Sequence, residues 1–168
     1  MSGAVVLGLD ASSTTIGYCV LQGRTALASG NVLLTQGLIS VRCLQAQGII
    51  FALLDRHTPD AVAIESPVVK RFTGKKGQRV DSASAVIPQA RVSGAILAVV
   101  AARGLAWQEV APASGKKALA GAGNADKDAM QTFAASYGVT GEHAADALGV
   151  ALSIIDQVLV GGVAYAHA

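Results

Sequence analysis

The chain's 168 residues suffice for one domain with a core of its own, and 52% of them are hydrophobic against only 4% aromatic. The longest apolar run, residues 94–102, is too short to cross a bilayer, no basic segment opens the chain as in a signal peptide, and two cysteines cannot frame a disulfide-rich fold. Membrane and disulfide-stapled classes are thereby excluded, and a single globular domain of the cytoplasm is expected. A formal charge of +2 says little by its size, but its distribution says more. Residues 70–127 hold ten Lys or Arg against three Asp or Glu, which leaves the rest of the chain net negative. Such a division suits a phosphate backbone lying against one stretch and cations gathered by the other.

In chain order, residues 5–9, 15–21 and 26–34 read as three antiparallel strands joined by short turns at Ala11-Ser12-Ser13 and Gly23-Arg24, a β-meander. Ile39, Val41, Leu44, Ile49, Phe51, Leu53 and Leu54 then recur at helical spacing, and this helix stops before Thr58-Pro59. A fourth strand over 61–64 follows, and a strand, a crossover helix and a strand imply parallel pairing in a mixed sheet. Residues 66–84 are rich in Lys, Arg, Gly and Ser with little periodicity, and are expected as a long mobile loop. A second helix over 85–102, a fifth strand over 105–110, and helices over 116–119, 126–137 and 141–155 complete the order. Cys19 on the second strand and Cys43 on the first helix read as free thiols with no part in the chemistry. No internal repeat is evident.

Chemistry-bearing residues fall at the ends of these elements. Ala4-Val5-Val6-Leu7-Gly8-Leu9 leads into Asp10, and Ala61-Val62-Ala63-Ile64 leads into Glu65, so two strands of one sheet deliver two carboxylates at one end. His143 and Asp146 stand three apart at the opening of the last helix and share a face. Like charges held together are unfavourable unless a cation occupies the middle, and an oxygen-rich set of this kind suits Mg²⁺ or Mn²⁺.

Gly8-Leu9-Asp10 with Thr15-Ile16-Gly17-Tyr18 after it, Pro59-Asp60-Ala61-Val62-Ala63-Ile64-Glu65, the segment 116–127 and His143-Ala144-Ala145-Asp146-Ala147-Leu148 together resemble the RuvC Holliday-junction resolvases of the ribonuclease H-like superfamily. The resemblance covers nearly the whole chain. It implies an α/β, ribonuclease H-like fold: a five-stranded mixed β-sheet flanked by helices, in a single domain over residues 1–168. It also implies a Mg²⁺-dependent endonuclease, with Mn²⁺ able to substitute, acting on four-way or branched DNA through two ions per active site. Asp10 would bridge the ions and Glu65 and Asp146 would complete their coordination. His143 stands where the family usually presents a fourth carboxylate, with Glu142 as the natural stand-in. Lys116 and Lys127 would face the scissile phosphate, and Lys117 would contact the backbone. In the loop after Glu65, Phe72 would wedge into the junction while Lys70, Arg71, Lys75, Lys76 and Arg79 hold phosphates. A homodimer is implied through the helix over 85–102, where Ala90, Gly94, Ala98 and Ala101-Ala102 would let a second helix come close.

One departure opens a second reading. Where the family commonly has Pro-Gly after the first aspartate, this chain has Ala11-Ser12-Ser13-Thr14-Thr15, and hydroxyls there also resemble the first phosphate loop of actin-like ATPases. Against an ATP-binding module stands the missing room for a second lobe in 168 residues. A catalytically idle binder of branched DNA is the third reading, and the intact carboxylates argue against it. Gly115-Lys116-Lys117 fails as a phosphate-binding loop, because position 111 is Ala and position 117 is neither Ser nor Thr.

Overall fold

The computed structural model describes residues 3–68, 71–73, 79–81 and 83–159. Strands β1 (Val5–Ala11), β2 (Thr15–Gln22) and β3 (Thr25–Leu33) form the expected meander, and α1 (Ile39–His57) crosses over to β4 (Ala61–Glu65). After a two-stranded hairpin, β5 (Arg71–Thr73) and β6 (Arg79–Asp81), come α2 (Ala83–Ala102), β7 (Ala106–Val110), α3 (Pro112–Ala120), α4 (Lys127–Ala135) and α5 (Glu142–Leu159). The main sheet has the order β3-β2-β1-β4-β7, antiparallel across the meander and parallel from β1 to β4 to β7. This is the five-stranded mixed sheet with flanking helices that the sequence predicts.

Residues 66–84 depart from the expected loop, because β5 and β6 pair antiparallel with Arg71 opposite Asp81 and Thr73 opposite Arg79. Strands of three residues are too short to show the period of two that marks a strand in sequence. The third helix begins at Pro112, ahead of the expected 116, because a proline at the first helical turn has no N–H to leave unsatisfied.

The alternation of each strand sorts the core into two layers. Leu7, Leu9, Val20, Val62 and Ile64 face α1 and α2, and Val6, Cys19, Leu21, Ala61 and Ala63 face α5. Burial pushes the Cys19 thiol up to about 12, which makes it an inert core group. The α5 side is close-packed through absent side chains. A Cβ at Gly8 would overlap the Ala147 carbonyl and stand 2.7 Å from the Ala151 Cβ, so α5 lies almost against β1. Leu148, Ile154 and Ile155 of α5 are fully buried in that layer, each burial stabilising by about 1.5–3 kcal/mol. No helix among the described residues is long and apolar enough to cross a membrane.

Candidate active site

Asp10 has the parity of Val6 and Gly8, and Glu65 that of Ala61 and Ala63, so both carboxylates lie on the α5 face. Parallel pairing of Leu9 with Ile64 puts them side by side at the carboxyl ends of the two central strands. Across β1, Asp10 is opposite Gly17, and Gly17 is opposite Asn31 on β3. One transverse row of the sheet therefore reads Asn31, Gly17, Asp10, Glu65. The first turn of α5 fills the gap that Gly17 leaves. A Cβ there would overlap the His143 carbonyl and stand 2.5 Å from the His143 Cβ. This contact sets His143 over Asp10, and the two side chains are joined by a hydrogen bond of 2.5 Å between Nδ1 and Oδ2.

The ionisation of this group reflects crowding. Asp10 is only 6% exposed. Its hydrogen bond raises the His143 pKa, with burial opposing. Asp146, one turn along α5, is pushed up to about 6, first by burial and then by the charge of Asp10, with the Lys116 cation working the other way. Lys116 reaches this point because α3 and α5 cross closely: a Cβ at Gly149 would lie 2.6 Å from the Gly115 carbonyl oxygen. The Lys116 ammonium is held by the Ala125 carbonyl at 2.8 Å.

A cleft of about 270 Å³ opens beside the row, lined by Glu65, Gln89, Lys116, Lys127, Glu142 and Asp146 among others. On its outer lip Lys127 and Glu142 form an ion pair of 2.5 Å between exposed side chains. The hydrogen bond in that pair lowers the Glu142 pKa and raises that of Lys127.

Six of the expected residues thus meet in space: Asp10 with His143, and Asp146, Lys116 and Lys127 with Glu65 around the cleft. Glu142, adjacent to His143 in sequence, is turned about 100° around the helix and pairs with Lys127 instead. Lys117 is exposed outside the cleft. Arg71, Phe72 and Arg79 lie on the hairpin, where only the backbone is described, and Lys70, Lys75 and Lys76 lie outside the described residues. Among the described residues no three Asp, Glu, His or Cys side chains already surround a point as a metal cage would. The donors suit a hard cation, since the Asp146 carboxyl and the half-buried His143 imidazole, both beside the buried Asp10, are biased toward holding protons where positive charge is needed.

The hydroxyl-rich turn after Asp10 is closed on itself. Ser12 Oγ accepts the backbone N–H of Thr14 and Thr15 at 3.2 and 2.9 Å, and Ser12 N–H donates to the Thr15 carbonyl at 2.8 Å. Arg42 Nη1 donates to the Ser13 carbonyl at 2.8 Å and ties the turn to α1. Backbone donors that a nucleotide phosphate would need are therefore already engaged, which removes the support for an ATP loop.

Two site residues escape sequence reasoning. Gly17 belongs to a motif strand, but its use as a seat for α5 depends on a helix more than a hundred residues away. Gln89 is a lone amide in an apolar helix, and no local signal marks it.

A mixed sheet of this order, with acids at the carboxyl ends of its adjacent parallel strands and a helix carrying further polar groups across them, is the ribonuclease H-like fold of metal-dependent nucleases. The family model described as crossover junction endodeoxyribonuclease RuvC matches residues 6–154. A RuvC from Parvibaculum lavamentivorans is 34% identical over 158 residues, covering 87% of this chain and 83% of that protein. One from Erythrobacter litoralis is 32% identical over 158 residues, covering 89% and 91%. Thermus thermophilus RuvC in complex with Holliday junction substrate superposes with a TM-score of 0.73 at 25% identity, over 95% of this chain and 97% of that one. The yeast mitochondrial resolvase Ydc2 shares the fold, with a TM-score of 0.61 at 10% identity. The chain belongs to the RuvC crossover junction endodeoxyribonuclease family.

Proposed function

We propose that this protein is a structure-selective endodeoxyribonuclease that resolves four-way DNA junctions by paired, Mg²⁺-dependent phosphodiester hydrolysis. The observation that carries the reading is the placing of Asp10 next to Glu65, on adjacent parallel strands, beside the cleft that Glu65, Asp146 and Lys116 line. Two Mg²⁺ ions would supply the activated water and stabilise the leaving oxygen, and Mn²⁺ would serve in their place. Asp10, Glu65 and Asp146 would hold these ions. Lys116, fixed by the Ala125 carbonyl, and Lys127 offset charge that grows on the phosphate. His143, hydrogen-bonded to Asp10, would in its neutral form be able to hold a cation or to accept a proton from water. Comparing cleavage of a four-way junction, a flap and plain duplex tests this, and equal rates on all three would overturn the junction preference.

His143 gives a sharp internal check. His143→Asp is expected to keep activity, because a carboxylate on the same helix position is an oxygen ligand, and His143→Ala to lose most of it. Wild-type activity should rise with pH as His143 loses its proton, and that inflection should vanish in His143→Asp. A wild-type rate in His143→Ala would leave the site with three protein ligands.

Metal and pH should also be linked in stability. Asp146 is raised from 3.8 to about 6 and His143 is raised above 6.5 in the folded chain. A raised group lends stability that is whole below its unfolded pKa and is lost as pH rises through its folded value. The metal-free protein should therefore lose stability from about pH 4 to 6 through Asp146, and further at higher pH through His143. Magnesium replaces those protons, so at about 100 times its Kd it should raise Tm by roughly 5–10 °C at pH 8, and by clearly less at pH 5. Equal shifts at both pH values would contradict the assignment.

Lys70, Arg71, Phe72, Lys75, Lys76, Arg79 and Lys117 are proposed to bind the junction. Replacing the four bases of 70–76 by Ala should flatten the salt dependence of binding, and an unchanged slope would return them to a solvated surface. The homodimer is proposed through α2, whose Ala90, Gly94, Ala98, Ala101 and Ala102 are exposed beside Ile87 at 53%. A Cβ at Gly94 would meet nothing within 4 Å, so the face is open to a second helix. Gly94→Arg should give a monomer by light scattering, and an unaltered dimer would exclude this face.

A further inference from the structure

The core-facing stripe of α2 runs through Val92, Ile96, Val99 and Val100, all buried between the sheet and α1. Read back toward the helix start, the position one turn before Val92 on that stripe is Gln89. At that point α2 overhangs the end of the sheet, the core gives way to the cleft, and Gln89 lines the cleft instead. It is half-buried, and its amide makes no hydrogen bond to any described residue. A half-buried amide is unfavourable unless it meets water or a ligand. The other polar residues of this cleft are three acids, Glu65, Asp146 and Glu142, two bases, Lys116 and Lys127, and the neutral Ser66 and Gln131. Gln89 is the polar side chain that α2 brings to this lining.

We propose that Gln89 is a substrate-contacting residue that donates from its side-chain amide to a non-bridging phosphate oxygen of the strand being cut. The inference rests on the reading of the cleft as a nuclease site. A neutral donor suits this place because it can hold a phosphate beside Glu65 without forming an ion pair with that carboxylate. It also leaves the charge balance that holds the cations undisturbed. The phosphate is thereby gripped from two sides, by Lys116 and Lys127 on α3 and α4 and by Gln89 on α2.

The test compares wild type, Gln89→Ala and Gln89→Glu on one synthetic four-way junction in Mg²⁺. It measures single-turnover rate at saturating protein, junction Kd, the Mg²⁺ midpoint and Tm. Gln89→Ala should cut roughly 10–100-fold more slowly, with Kd changed less than about threefold, because many other phosphate contacts hold the junction. Its Mg²⁺ midpoint and Tm should match wild type, which a purely structural role would not allow. Gln89→Glu keeps the shape, loses the donor and adds charge, so it should be slower still. Either variant cutting within twofold of wild type overturns the proposal, as does a loss explained by a shifted Mg²⁺ midpoint or a lowered Tm. The broader reading has its own control in the same assay: a wild-type protein that cuts no junction brings down both. A wild type that cuts, an inactive Asp10→Asn and a normal Gln89→Ala bring down this proposal alone.

Discussion

Asp10→Asn, Glu65→Gln and Asp146→Asn are each expected to slow junction cleavage by at least about a thousand-fold, which is about 4 kcal/mol of lost transition-state stabilisation. An amide keeps the shape of the carboxylate and removes the charge that would hold the cations. Asp10 should be the most sensitive, because it is the most buried of the three and sits at the centre of the row. Junction binding should be unchanged or tighter, since one negative charge near phosphate has gone. Asp10→Asn also breaks the partnership with His143, so the histidine's raised pKa should fall back in a titration followed by NMR. Cleavage retained in two of the three variants would sink the site assignment.

The second large effect is expected at a residue with no side chain. Gly17→Ala places a methyl group against the His143 backbone and must push the first turn of α5 off the sheet. Overpacking of this kind costs about 1–3 kcal/mol, which corresponds to a Tm lower by roughly 3–10 °C in a chain of this size. The catalytic loss should be larger than the stability loss implies. A shift of about 1 Å in His143 and Asp146 relative to Asp10 is enough for about a hundredfold fall in rate. Gly48→Ala in α1 is the contrasting control, because nothing lies within 4 Å of its Cβ and a helix interior favours alanine. It should be neutral or stabilising by about 0.5–1 kcal/mol. A Gly17→Ala protein with wild-type Tm and rate would show that α5 is not seated as described.

Much of this site is legible before any fold is known. Asp10 and Glu65 follow buried apolar strands, and a polar residue at the end of such a strand leaves the core at the sheet's edge. His143 and Asp146 declare their shared face by spacing alone. The rest depends on relations between distant segments. Which face of β1 carries Asp10 is settled by α5 packing over Gly8 and Gly17, two positions that in sequence look like any strand glycine. The pairing of Glu142 with Lys127 separates two adjacent residues into different roles, which spacing could raise only as alternatives. The hairpin of β5 and β6 is hidden because three residues per strand cannot display a period. Gln89 is hidden for the opposite reason: its position continues the buried stripe of α2, and nothing in the sequence marks where that stripe passes from core to cleft.

The central claim is that Asp10, Glu65 and Asp146 hold the cations that make this chain a nuclease. Anomalous diffraction from crystals grown in saturating Mn²⁺ at pH 8, where Asp146 has lost the proton that stands in for metal, tests it most directly. The account predicts manganese density about 2.1 Å from carboxylate oxygens of Asp10 and of Glu65 or Asp146, with the Asp10–His143 hydrogen bond opened. Manganese bound elsewhere, with that hydrogen bond intact and the carboxylates unligated at saturation, would contradict it.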